Sequence, residues 1–387
     1  GLVTSALWSD TNGNGKQDLL VTLEWGPVAL FVNNGGQLTD ATKQAGLAER
    51  LGWWNSITQT DLDHDGDMDY IAMNVGLNTK YGTPSAKKPS LLYYGDMEGN
   101  GRKRLIEAKK DKKGSLVPVR GKSCSTHCMP MLGTKFPTYR AFAASILPEI
   151  YTEQRLSDAE QFKATAFESG ALINDGKGNF TFQPLPRFAQ AAPGYGVVAT
   201  DIDGDGLVEV VAAQNMFTRE PETGLWRGGI GVILEYGADG AFRVEPAAET
   251  GFIVDGDAKG LTLCDLDGDN RPDFVLCQNN DKLLAWKNRG DSKPLFSVRL
   301  HGSPGNPDGI GARIIAHYTD GTVHATEMTA GNGYLSQSQP IVYFSAAGTP
   351  IRELEIRWPD GETTKATPDT KSTSIKISKR LLSKTTR

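Results

Sequence analysis

The stretch Asp201-Ile-Asp-Gly-Asp-Gly-Leu-Val-Glu209 lies between Val197-Val-Ala-Thr200 and Val210-Val-Ala-Ala213. It carries oxygen side chains at loop positions 1, 3, 5 and 9 and a glycine at position 6. A short loop wraps a hard cation in this way. Alternate side chains turn inward, Gly206 permits the sharp turn, and the Leu207 carbonyl adds a ligand. The register recurs at Asp10-Thr-Asn-Gly-Asn-Gly-Lys-Gln-Asp18, at Asp61-Leu-Asp-His-Asp-Gly-Asp-Met-Asp69 and at Asp265-Leu-Asp-Gly-Asp-Asn-Arg-Pro-Asp273. In the last copy Asn270 stands where the others have glycine, and asparagine also tolerates a left-handed backbone. One copy reads equally well as an Asp/Asn/Gly turn. Four in one register read as a repeat architecture.

The loops do not fit an EF-hand, which needs a glutamate at position 12 and a helix on each side. Position 12 is Val21, Ala72, Ala212 and Leu276, and the flanks are β-branched and strand-like. Magnesium prefers a rigid octahedral shell that keeps its waters, and zinc wants sulfur or nitrogen ligands; calcium suits the set best. Clustered carboxylates also repel one another by a few kcal/mol per close pair at an effective dielectric near ~20, which a cation would relieve. The copy at Asp10, with two carboxylates and two asparagines, is expected to bind most weakly.

The 387 residues suffice for one large repeat domain and a smaller one, and 44 glycines suit a turn-rich, mostly β chain. The net charge of −5 misleads, because fifteen of the 46 acidic residues lie in the four loops, and setting those carboxylates aside leaves a net charge of +10. No basic stripe interleaved with aromatics argues for nucleic acid, and Lys109-Lys-Asp-Lys-Lys113 reads as a solvated hairpin turn. No apolar run reaches the length of a membrane span. The chain opens on Gly1 without a methionine or signal peptide, which reads as a processed or excised piece of a longer exported protein.

Taken in order, strands are expected at Val3–Trp8, Leu19–Leu23, Val28–Val32 and Gln37–Asp40, the size of one propeller blade. A second unit opens at Gly52 and leaves its loop through Tyr70-Ile-Ala-Met73. The hairpin Asp96-Met-Glu-Gly-Asn-Gly-Arg-Lys-Arg104 keeps the register but puts Arg104 at position 9, so this blade is expected to lack an ion. An insertion from about 114 to 180 contains helical patterns at Tyr139–Leu147, stopping at Pro148, and at Ser157–Lys163. Further blades surround Asp201 and Asp265. The expected organisation is a propeller over 1–293, a β-sandwich over 294–378 and a disordered tail over 379–387.

These residues resemble FG-GAP or VCBS repeats, the blades of integrin-α-like β-propellers. The tail resembles the ASPIC and UnbV domain through Gly309-Ile-Gly-Ala-Arg-Ile314, Ala330-Gly-Asn-Gly-Tyr-Leu-Ser-Gln337 and Ile356-Arg-Trp-Pro-Asp-Gly361. The resemblance implies an all-β, calcium-binding propeller, seven-bladed when complete, secreted or surface-exposed. Its implied ligands are Asp10, Asn12, Asn14 and Asp18; Asp61, Asp63, Asp65 and Asp69; Asp201, Asp203, Asp205 and Glu209; and Asp265, Asp267, Asp269 and Asp273. The carbonyls of Lys16, Asp67, Leu207 and Arg271 at position 7 complete four structural Ca2+ sites. Only five blades are countable, so others would lie upstream of Gly1 or unread within the insertion.

Function is less legible. The five histidines sit in no triad or H-E-x-x-H context, and no nucleophile elbow or phosphate loop is present. The leading expectation is a non-catalytic adhesion or ligand-binding module for an extracellular glycan or protein, with Trp53, Trp54 or Trp226 as an aromatic platform unless they pack between blades. The alternatives are a carbohydrate-active lyase or dehydratase at the propeller mouth, with His127, Tyr139, Arg140 and Tyr151 as candidates, and a structural spacer. Cys124-Ser-Thr-His-Cys128 reads as a local disulfide or two loop thiols, or as a Cu(I) site with His127 and a methionine. Cys264 and Cys277 read as small buried residues.

Overall fold

The computed structural model describes residues 1–218, 224–289, 293–369 and 371–379. Each acidic loop joins the first two strands of an antiparallel meander. The first meander is β1 (Leu2–Ser9), β2 (Asp18–Gly26), β3 (Val28–Asn33) and β4 (Leu38–Asp40). The second starts with β5 (Gly52–Thr60) and β6 (Asp69–Asn74), and Glu24 and Gly26 of β2 pair with Trp53 and Gly52 of β5. The two meanders thereby form one curled eight-stranded sheet.

The chain then leaves the meander. An insertion builds its own sheet from β7 (Ser90–Gly95), β8 (Arg104–Lys110), β9 (Leu116–Pro118) and β10 (Glu160–Ala164), ordered β10-β7-β8-β9. Five short helices cover it: α1 (Lys122–Cys128), α2 (Met131–Lys135), α3 (Tyr139–Ala144), α4 (Leu147–Tyr151) and α5 (Glu153–Asp158). Only then do β11 (Gly170–Asn174) and β12 (Phe180–Pro184) complete the second meander, with Gly170, Ala171 and Leu172 pairing Ala72, Ile71 and Tyr70 of β6.

The excursion therefore runs from about 75 to 169, not from 114 to 180, and the Asp96 hairpin belongs to it rather than to a blade of the main series. The expected helix to Leu147 is also corrected. α3 ends at Ala144, and Pro148 lies in the first turn of α4, where its missing N–H costs nothing. Of the helix expected over Ser157–Lys163, only Ser157 and Asp158 are helical, at the end of α5, and residues 160–164 instead pair strand-wise with the open edge of β7.

The third meander is β13 (Gly194–Thr200), β14 (Val208–Gln214), β15 (Val232–Tyr236) and β16 (Phe242–Glu245), followed by the short helix α6 (Ala247–Thr250). The fourth is β17 (Ala258–Cys264), β18 (Asp273–Gln278) and β19 (Leu284–Trp286). First strands face a common axis: β13 packs against both β5 and β17. Close approach needs Gly196, where a Cβ would meet the Lys259 carbonyl oxygen at 2.5 Å. Between meanders lie apolar layers such as Leu62, Ile71, Met73, Val197, Val210 and Leu234. This is a propeller-like arrangement.

The C-terminal part is a sandwich. One sheet is β20 (Leu295–His301) between β23 (Val342–Ser345) and β26 (Ser374–Ser378); the other is ordered β22 (Val323–Glu327), β21 (Arg313–Tyr318), β24 (Ile351–Arg357) and β25 (Thr363–Ala366). Alternate residues meet in its core, with Phe296, Val298 and Leu300 facing Ile314, Leu354 and Ile356. Of the expected disordered tail, Lys379 is ordered, its N–H donating to the His301 carbonyl at 2.9 Å, and 380–387 lie outside the described residues. No helix among the described residues is long and apolar enough to cross a membrane.

An asparagine ending a third strand fastens the meanders together. Asn174 Nδ2 donates to the carbonyls of Met68 (3.1 Å), in its own meander's loop, and Thr11 (2.9 Å), in the preceding one. Asn288 likewise donates to Ile202 of the preceding loop at 2.8 Å. Asn174→Ala should lower stability by about 2–3 kcal/mol, because two buried carbonyls lose their donor. Urea denaturation measures this, with the exposed Asn34→Ala as a near-neutral control; equal midpoints for the two variants would refute the fastening role.

Candidate metal centres

Within each loop the side chains are organised by the backbone before any cation is considered. The position 1 carboxylate accepts the position 6 N–H: Gly15 to Asp10 (2.7 Å), Gly66 to Asp61 (3.4 Å), Gly206 to Asp201 (3.0 Å) and Asn270 to Asp265 (3.2 Å). Position 6 is left-handed in each, including Asn270 at φ 65°. The position 5 oxygen accepts the position 7 N–H, from Asn14, Asp65, Asp205 and Asp269 to Lys16, Asp67, Leu207 and Arg271 respectively.

Position 9 is the most buried. Asp18, Asp69 and Asp273 are 0–1% exposed and Glu209 6%. Each accepts the position 2 N–H, from Thr11, Leu62, Leu266 and Ile202. The three aspartates accept a second N–H from an asparagine at or two residues beyond the end of the third strand: Asn33, Asn174 and Asn288, at 2.7–2.8 Å. In the third meander the corresponding place opposite position 8 is Tyr236, facing Val208, and position 9 there is the longer Glu209.

The loops differ as cation sites. Carboxylate oxygens of Asp61, Asp63 and Asp69 lie within 4.8 Å of one another, as do those of Asp201, Asp203 and Glu209. Burial, reinforced by neighbouring carboxylates, pushes Asp61 and Asp201 up to about 7, Asp69 to about 8 and Glu209 to about 9. Burial and mutual repulsion both oppose ionising these carboxyls together, and a bound cation would offset both. The all-oxygen donor set fits a hard divalent ion.

Asp265, Asp267 and Asp269 also converge, with Lys287 bonded to Asp267. The Asp10 loop, with Asn12 and Asn14, offers Asp10 and Asp18 as its only carboxylates. In the Asp96 hairpin the Arg104 guanidinium donates to Glu98 at 3.0 and 3.1 Å, so an internal ion pair occupies the place of the last ligand.

All four loops face the C-terminal sandwich. The Asp10 N–H donates to Glu327 Oε1 (3.2 Å), the Ala325 N–H to Asp61 Oδ2 (2.9 Å), Ser345 Oγ to the Gly204 carbonyl (2.8 Å) and Ser297 Oγ to Asn270 Oδ1 (2.9 Å). Arg313 bonds the Gly66 carbonyl and lies 3.8 Å from Asp67 and 3.9 Å from Glu327. His64 and His324 stack with ring centroids 3.6 Å apart. Burial pushes Glu327 up to about 7 despite Arg313.

A second contact reaches the first strands of all four meanders. The segment around 331–339 receives the Ser5 hydroxyl on the Gly333 carbonyl (3.0 Å) and donates from Gly333 N to the Ile57 carbonyl (3.2 Å). Tyr334 packs on Tyr195, and Gln339 N donates to the Leu263 carbonyl. Arg313, Glu327 and this segment carry the docking, yet sequence spacing marked none of them as a site. The signal available was the motif containing Arg313 and the one running from Ala330 to Gln337.

The remaining expectations separate. Trp53, Trp54 and Trp226 are all under 10% exposed, so none is a platform; Trp53 packs on Trp25, Tyr81 and Trp226. His127, Tyr139 and Arg140 are exposed whereas Tyr151 is buried in the core of the insertion, so the four do not converge on a pocket. Cys277 is exposed, not buried, and Cys264 half-buried, because the register places Cys264 opposite Asp273 at the end of the pair.

Residues 10–72 match the FG-GAP-like repeat and residues 302–380 the ASPIC and UnbV domain. The chain is 25% identical to cartilage acidic protein 1 of Xenopus tropicalis over 195 residues, and 23% identical to that of Mus musculus over 190. These alignments cover 49% and 48% of this chain and 29% of each relative, so the match spans less than a third of those proteins. Among solved structures it is similar to the rhamnogalacturonan lyase YesW (TM-score 0.30, 10% identity, 96% of this chain and 58% of that one). It is also similar to the V. cholerae biofilm matrix protein Bap1 (TM-score 0.24, 9% identity, 96% and 60%). Both likenesses are too slight to bear on function.

The raised carboxyls give a signed prediction for the chelator-treated chain. Their folded values of about 7 to 9 exceed the ordinary 3.8 and 4.5, so between those limits the folded state binds more protons than the unfolded state. Stability without metal should therefore rise as pH is lowered from 9 to 6. Urea midpoints in chelator would show it, and a midpoint that falls over this range would contradict the assignment.

Proposed function

We propose that the chain is an extracellular or surface module in which calcium ions in the acidic loops hold the propeller-like body against the C-terminal domain, while other surfaces bind a glycan or protein ligand. One observation carries this reading: the buried carboxylates of the loops lie where the two parts meet. An ion held by Asp61, Asp63 and Asp69, or by Asp201, Asp203 and Glu209, would neutralise charge at that seam, with the carbonyls of Asp67 and Leu207 as further donors. The Asp265 and Asp10 loops would bind more weakly, the former because Lys287 competes for Asp267. The ions are structural here, in the range of roughly 0.1–1 mM affinity of extracellular calcium modules. The repeat and the similarity to cartilage acidic protein support the extracellular setting.

For the ligand surface, Trp8 is the most exposed of the tryptophans at 49%, and Leu2 and Val3 on the same strand are also exposed. An exposed indole beside a free strand edge suits a sugar ring or an apolar protein contact. For the carbohydrate-active alternative, a site at the propeller mouth would be lined in part by the 331–339 segment, which bonds to the first strands there.

Calcium at millimolar concentration should raise the melting temperature by several degrees, and EDTA should reverse it. With calcium the pH trend should invert, since acid displaces the ion from its carboxylates. Unchanged melting would sink the calcium reading. A glycan array with Trp8→Ala as control, run beside a lyase assay on acidic polysaccharides, separates the functional classes. Binding lost in Trp8→Ala supports the module, turnover supports the enzyme, and silence in both supports a spacer.

A further inference from the structure

The insertion holds a cavity of about 370 Å³ between β8, β9 and α1, which shares no lining residue with the four acidic loops. Cys124, Cys128 and Met129 all line it, while His127 does not. Cys124 and Cys128 are four residues apart on α1, hence on one face, and both are thiols. The Cys124 side is buried, Met129 is buried at 3% exposure, and Cys128 is exposed at the rim. Arg120 Nη1 donates to Cys124 Sγ at 3.6 Å, and its other nitrogens hold Glu107 at 2.8 and 3.3 Å.

Helical geometry decides what this pair can do. Side chains at i and i+4 have Cβ atoms about 5–6 Å apart, whereas a disulfide needs about 3.5–4.5 Å. Closing the bond would unwind a helix of seven residues. Two thiolates bridged by one ion need no such change, because a metal–sulfur bond of about 2.3 Å on either side of the ion spans the gap between two side chains stacked one helical turn apart. The donors are two thiolates and a thioether, the soft set that selects Cu(I). Zinc would need a fourth ligand, and the nearest carboxylate, Glu107, is committed to Arg120 and to the Tyr81 hydroxyl at 2.7 Å. A bis-thiolate Cu(I) centre carries net negative charge, and the guanidinium beside Cys124 stabilises it.

We propose that Cys124, Cys128 and Met129 form a soft-metal site for Cu(I) in the wall of the insertion. It is independent of the calcium reading and of any ligand on the propeller-like body. The test uses the full chain, reduced and anaerobic, titrated with Cu(I) against a chromophoric Cu(I) chelator. One ion per chain should be retained, with near-ultraviolet thiolate-to-metal absorption.

Cys128→Ser, at an exposed position that folding does not need, should lose both the ion and the band. Met129→Leu should weaken retention, and His127→Ala and Cys277→Ser should leave it intact. The proposal is overturned if the wild-type chain yields all its Cu(I) to the chelator, or if Cys128→Ser holds it equally well. It is also overturned if mild oxidation joins Cys124 to Cys128, read as a loss of two hydrogens by mass, with the helical circular dichroism unchanged.

Discussion

A carboxylate that is buried must be answered, and the fold depends on how the acidic loops answer theirs. Asp18, Asp69, Glu209 and Asp273 are out of water at the base of their loops. Each accepts a backbone N–H from its own loop, and the three aspartates accept another from the strand that closes the meander. Hydrogen bonds of this kind contribute about 0.5–1.5 kcal/mol each, and about 1.5–3 kcal/mol where the carboxylate is ionised. They fix the loop to the third strand, and the asparagine there reaches the loop of the previous meander. Register thus passes from one meander to the next through polar contacts, while the apolar layers between the sheets supply most of the burial.

The same charge explains why the C-terminal sandwich docks where it does. Loop tips rich in carboxylates and exposed carbonyls are poor surfaces for apolar packing and good ones for N–H, hydroxyl and guanidinium donors. Arg313, Ser297, Ser345 and the backbone of Ala325 supply those donors. The glycines around Arg313 have a packing reason as well. At Gly309 (φ 68°) a Cβ would meet Leu300 at 2.9 Å and Trp358 at 3.0 Å, so the turn leading into β21 requires its absence. The motifs of the C-terminal domain are therefore parts of a joint, and the joint rests on the repeats.

The insertion follows different rules. It has its own core of Met97, Phe136, Phe142, Leu147 and Ile150, and it meets the main body through the aromatic group of Trp25, Trp53, Tyr81, Phe167 and Trp226. Its hairpin carries the loop pattern but closes it with Arg104 against Glu98, so one sequence motif serves an ion-paired turn in one place and a cluster of converging carboxylates in three others. The difference lies in burial, since Asp96 is half-buried while Asp61 and Asp201 are enclosed.

The sequence by itself determined the strands of the meanders and the loops between them, because residue spacing within nine positions decides which side chains face inward and where a left-handed residue is required. It also carried the sandwich, whose strands alternate apolar and polar residues. It did not determine that β11 returns to β6 across nearly a hundred residues, since strand pairing is a long-range choice that no local period records. The pairing of residues 160–164 with β7 was likewise settled by an open strand edge. Only the tertiary structure decided what the loops face. Arg313, Glu327 and the axial segment come from residues some three hundred positions beyond the first loop, and their meeting depends on how the sheets curl.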